Sequence, residues 1–196
     1  MATFDRGFKI WAERTSVGVR RELGVQAHGP LFAPDLARFL KVELITPHDV
    51  QGLEPSHKRQ LLNADPDGWS AVTVESAGRH IVVYNPKHSF GRQSSDQMHE
   101  LAHILIGHEA SRLVISQDGA WVMRSYDQKQ EDEAAWFSGC LLLPREALLY
   151  IARHQIPDDA ACEQYRVSLP MLVSRRNLSG VALQLRRRIS LRRGPR

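Results

Sequence analysis

Residues 94–108 read SSDQMHELAHILIGH, and the pentapeptide His99-Glu100-Leu101-Ala102-His103 within them decides how the rest of the chain is read. In an α-helix, residues four apart stand one above the other on the same face. A helix here therefore aims the imidazoles of His99 and His103 at a common point, where they can share one metal ion. Glu100 follows His99, so its carboxylate can reach a water at that ion. Two neutral nitrogen ligands and an adjacent carboxylate base are what a zinc hydrolase requires.

The local pattern favours a helix. Met98, Leu101, Ala102, Leu105 and Ile106 recur at helical spacing. Gly107 is a natural C-terminal stop. Ser94 and Gln97 fit a capping box, with Asp96 adding negative charge to the first turn. The spacing thus predicts a helix over 95–106. His and Glu inside an apolar run are costly without a partner or a metal.

A third ligand is needed. The extended form H-E-x-x-H-x-x-G-x-x-H requires glycine at 106 and histidine at 109, where this chain has Ile106 and Glu109. The remaining source is a carboxylate on a later helix. Residues 130–144, QEDEAAWFSGCLLLP, offer Glu131 and Glu133 ahead of an apolar run. Glu131, Ala134, Ser138 and Leu141 share one helical face, and Glu133, Phe137 and Cys140 a neighbouring one.

H-E-L-A-H at 99–103, followed from residue 131 by E-x-x-A-x-x-F-x-x-x-L-L-x-P, resembles the ImmA/IrrE family of metallo-endopeptidases. The matching residues are Glu131, Ala134, Phe137, Leu141, Leu142 and Pro144. Upstream, Arg20-Arg21-Glu22-Leu23-Gly24 resembles the family's opening helix, and His80 to Asn85 the strand before its metal helix. The resemblance implies Zn2+ held by His99, His103 and Glu131, with Glu100 as the catalytic base. Glu133 is then a solvated first-turn carboxylate. The family often has asparagine where this chain has Ala135, a change that removes a polar group near the site but no ligand. The resemblance also implies a protein substrate, a DNA-binding repressor of the helix-turn-helix type, cut in a stress or mobile-element response. The competing reading is a non-catalytic regulatory or DNA-associated protein with structural zinc. Glu100 argues against it, because a structural site has no use for a base beside its ligand.

The rest of the chain predicts an α+β fold with a small antiparallel sheet against helices. Residues 8–23 read as an amphipathic helix with Phe8, Trp11, Ala12 and Val19 inward, ended by Gly24. A second helix spans 34–40, a short strand 42–45, and Thr46 to Asp49 a turn. His48 and His57 read as surface histidines. The turn-rich Asn63 to Gly68 precedes a β-hairpin, 69–74 with 80–85. A strand beside a zinc helix can pair with an extended substrate. His108 and Glu109 read as surface loop, and Tyr126 as a possible oxyanion donor. Helices are expected from 144 and from 157, and 161–165 with 169–178 form a helix-turn-helix-like pair.

This organisation predicts a metallopeptidase domain over 1–150, a packed helical segment over 151–185 and a basic tail over 186–196. The tail holds six arginines and no acids; removing them from the net charge of +4 leaves −2. A terminal arginine cluster of this kind is a solvated end rather than a nucleic-acid surface. Two cysteines, Cys140 and Cys162, make no disulfide framework and point to the cytoplasm. The N-terminus lacks a signal-peptide pattern, and no run is long enough to span a membrane.

Overall fold

The metal-motif helix and its neighbours are described by a computed structural model covering residues 4–76, 78–108, 113–115, 121–123 and 127–185. The fold is mixed α+β. In chain order the elements are α1 (Phe8–Glu22), α2 (Ala33–Leu40), β1 (Glu43–Ile45), α3 (Pro55–Arg59), β2 (Ala71–Ser76), β3 (Arg79–Tyr84) and α4 (Phe90–Ile106). They continue with β4 (Leu113–Ile115), β5 (Trp121–Met123), α5 (Gln128–Leu142), α6 (Arg145–Arg153), α7 (Asp158–Tyr165) and α8 (Leu169–Leu178). A π-helical turn, Gln60–Ala64, extends α3. No described helix is long and apolar enough to cross a membrane.

The motif helix α4 begins five residues before the sequence expectation. Ser89 is its N-cap residue, without a side-chain capping bond, so the Ser94–Gln97 capping box is not used. Asp96 instead serves a tertiary contact: its carboxylate meets Nδ1 of the buried His88 at 2.8 Å. The C-terminus is as the sequence predicts, with Gly107 in the left-handed region at φ 80°, where glycine carries no Cβ penalty.

Beneath α4 lies a three-stranded sheet in the order β1-β3-β2. β1 runs parallel to β3, and β2 pairs antiparallel with it, Thr73 opposite Val82. Cross-strand partners share a face, and both of these side chains are buried. α4 lies over β2 and β3. Its own buried residues, Met98, Leu101 and Ala102, join Ala134, Phe137 and Leu141 of α5 in one core. The backbone of β4 pairs with β5 as a separate ribbon.

α1 packs on α5 with Ala12, Ser16, Val19 and Arg20 inward, a spacing of four, three and one that keeps to one stripe. Trp11, expected inward, remains 40% exposed while its ring lies 5.0 Å from that of Phe137. Arg20 is fully buried. Its guanidinium donates to the carbonyls of Leu141 (2.6 Å), Gly29 (2.9 Å) and Ser16 (3.1 Å). A helix C-terminus leaves its last carbonyls without partners, so Arg20 closes the end of α5. Burial pulls its pKa down to about 10, which leaves it charged at neutral pH.

Helices α7 and α8 are joined by three residues, the first, Arg166, left-handed at φ 53°. α8 sends Arg175 across Gly139 of α5, where an added Cβ would sit 2.8 Å from Arg175 Cδ. Arg175 donates to Glu13 Oε1 (2.6 Å) and to the Leu143 carbonyl (3.1 Å). The other Glu13 oxygen accepts from the Arg145 N–H at the start of α6 (2.9 Å).

Replacing Arg20 with alanine strips partners from several buried carbonyls at once. It should destabilise the chain by about 3 kcal/mol in urea unfolding; a change below about 1 kcal/mol would contradict the capping role. Cys140 gives a second test. It is fully buried, and burial pushes its thiol from 9.0 up to about 12, against a smaller opposing pull from Arg175. The folded chain therefore holds this proton more tightly than the unfolded chain. That contribution is complete below pH 9 and is lost as pH rises towards 12. Between pH 9 and 10 unfolding stability should fall, by at most about 1.4 kcal/mol per pH unit from this group. Cys140→Ala should fall less steeply, and parallel slopes for the two proteins would contradict the assignment.

Candidate metal centre

Three side chains named from the sequence converge in space. His103 Nε2 lies 3.0 Å from His99 Nε2. Glu131 Oε2 lies 3.1 Å from His99 Nε2, and Oε1 lies 3.6 Å from His103 Nε2. One ligand atom from each falls within 4.8 Å of the others. The two imidazoles arrive from successive turns of α4. The carboxylate arrives from the first turn of α5, which Asp127 caps by accepting from the N–H groups of Lys129 and Gln130.

The donor set fits a small divalent cation. A tetrahedron with metal–ligand bonds of about 2.0 Å has edges of about 3.3 Å, and the three separations straddle that length. His103 is held neutral, as a nitrogen ligand must be: burial, with His99 beside it, lowers its pKa to about 4. Two imidazole nitrogens and a carboxylate oxygen facing one point bring lone pairs together, an arrangement that a cation between them relieves.

Glu100 stands beside this cluster. Thr73 Oγ1 donates to Glu100 Oε2 at 2.5 Å, bringing strand β2 against the motif helix. Burial raises the proton affinity of the Glu100 carboxyl, the Thr73 hydrogen bond and His99 counter it, and Glu131 adds to it.

Two sequence expectations are corrected. Glu133 is buried rather than solvated, because α5 turns that face onto the end of α4. His108 is not a surface side chain: only 7% of it is exposed. Its Nδ1 lies 3.0 Å from Nδ1 of His103, and its Nε2 lies 3.2 Å from Glu133 Oε2. The cause is the way α4 ends. The N–H of Gly107 bonds to the Ile104 carbonyl and the N–H of His108 to the His103 carbonyl, the paired bonds of a Schellman cap. That cap folds the residue after the glycine back onto the residue five before it, so a glycine at 107 already pairs 108 with 103. Thr73 could have been suspected only as an inward position of a strand. His48 and His57 are exposed as expected. Tyr126 and Glu109 lie outside the described residues.

A family model described as Peptidase_M78, IrrE N-terminal-like domain, matches residues 57–177. No curated protein matches the chain.

The wild-type chain should take up one divalent cation in equilibrium dialysis against zinc. His99→Ala and Glu131→Ala should each lose stoichiometric uptake with the fold retained by circular dichroism. Full uptake by either variant would remove that residue from the site.

Proposed function

The chain belongs to the M78 peptidase family through its IrrE N-terminal-like domain, and from that membership we propose that it is a zinc-dependent endopeptidase cutting a helix-turn-helix repressor protein. The family is one of metallopeptidases, which gives the reaction class, peptide-bond hydrolysis of a protein substrate. The observation that carries the finer reading is the meeting of His99, His103 and Glu131 with Glu100 at their side.

In this reading His99, His103 and Glu131 hold the ion. Zinc supplies Lewis acidity and brings the pKa of water to about 7, so that a nucleophile exists at cellular pH. Glu100 takes a proton from the attacking water and delivers it to the leaving nitrogen. Its environment suits both steps: burial strengthens its hold on a proton, and the Thr73 hydroxyl fixes one carboxylate oxygen. Thr73 lies on β2, an outer strand of the sheet. An extended peptide pairing along β2 would run past the same carboxylate.

The repressor is assigned from the family's habit of cutting such proteins. The peptidase part is assigned to 1–150, with 151–185 packed on it through contacts such as Arg175 with Glu13. The arginine-rich residues 186–196 lie outside the described residues and are given no part in the chemistry. The site of action is assigned to the cytoplasm.

The test is incubation with a purified helix-turn-helix repressor, chosen first from the genes beside this one. Wild type should cut it into discrete fragments, and Glu100→Gln should retain zinc and cut nothing. Thr73→Val should lower kcat/KM about 10- to 100-fold, the worth of one hydrogen bond to a charged group, while Thr73→Ser recovers most of it. Cleavage by Glu100→Gln at the wild-type rate would exclude Glu100 as the base.

A further inference from the structure

His108 and Glu133 fall outside the three-residue cluster, yet both side chains are largely covered, His108 meets His103 of the cluster, and Glu133 meets His108. We infer that they form a hydrogen-bonded relay, Glu133 to His108 to His103, that positions His103 for the metal and fixes which of its nitrogens carries the proton. The inference rests on the metal-site reading given above.

The chemistry follows from the atoms in contact. His103 turns Nε2 toward His99 and Glu131. A nitrogen that ligates a cation must keep its lone pair free, so the proton of neutral His103 sits on Nδ1. That N–H faces His108 Nδ1 at 3.0 Å, which must therefore accept. A neutral His108 that accepts at Nδ1 carries its own proton on Nε2. Nε2 lies 3.2 Å from Glu133 Oε2, an acceptor. Each donor thus meets an acceptor, and the chain ends on a negative charge. The other Glu133 oxygen faces Lys129 at 3.9 Å. The reverse order would place a proton on His103 Nε2 and abolish ligation.

His108 cannot itself be a fourth ligand in this arrangement, because it approaches the wrong nitrogen of His103. Its role is positional. The carboxylate draws proton density along the chain, which makes His103 Nε2 a stronger donor to a cation. The Schellman cap supplies the geometry, and Glu133, two residues after Glu131, supplies the charge from the same turn of α5.

The experiment is zinc affinity by chelator competition on the full chain, with folding of each metal-free protein checked by thermal melting. His108→Phe keeps the ring's bulk and removes the acceptor; it should weaken zinc binding about 10- to 100-fold. His108→Asn restores an acceptor near the Nδ1 position and should recover part of that loss. Glu133→Gln should also weaken binding, by less than His108→Phe. Should His108→Phe fail to fold, histidine 15N NMR of the zinc-loaded wild type reads the same point without a substitution. His103 should be protonated at Nδ1 and His108 at Nε2. Unchanged affinity in His108→Phe, or His108 protonated at Nδ1, overturns the relay and leaves the metal site standing. A wild type that binds no zinc removes the metal site itself, and the relay with it.

Discussion

Everything at the candidate centre depends on two helices lying close enough for one carboxylate to meet two imidazoles. α4 presents His99 and His103 one turn apart, which helix geometry alone secures. Nothing local secures Glu131. Its position depends on how α5 lies against α4, and that contact is made by Met98, Leu101, Ala102, Ala134, Phe137 and Leu141 in a shared core. Alanines at 102 and 134 keep the two backbones close, and close packing leaves little freedom for the carboxylate to drift.

Polar groups fix α5 from its far side. Arg20 closes its last carbonyls, while Arg175 crosses it at Gly139 and pairs with Glu13. Buried charges of this kind add little net stability when paired, yet leaving one unpaired is expensive. Their effect is therefore to reject alternative placements of α1, α6 and α8 around α5. The helix that carries Glu131 is held at its N-terminus by the Asp127 cap and at its C-terminus by Arg20. The site inherits its precision from these two ends. Glu100 shares α4 with His99 and His103, and Thr73 on the adjacent strand holds its carboxylate.

The motif helix, the hairpin and the ligand helix are legible in the sequence because each rests on short-range signals. His99 and His103 declare themselves by spacing, the hairpin by alternation after Asn63 to Gly68, and Glu131 by a family pattern. Other features depend on contacts far apart in the chain. Pairing of β1 with β3 joins residues 43–45 to 81–83, and no local pattern announces it. Arg20 reads as one of several surface cations until α5 is placed above it. Ser94 to Gln97 has the composition of a cap but lies within a helix already started at Phe90, and Asp96 pairs with His88 instead. His108 was readable in principle: the stop at Gly107 carries a fixed geometry, and its consequence is contact with His103.

The central claim is that His99, His103 and Glu131 bind a single ion. X-ray absorption at the zinc edge of the loaded chain tests it most directly. The account predicts four light ligands at about 2.0 Å, with the outer-sphere scattering of two imidazoles. A sulfur shell at about 2.3 Å, or a spectrum without imidazole scattering, would contradict it.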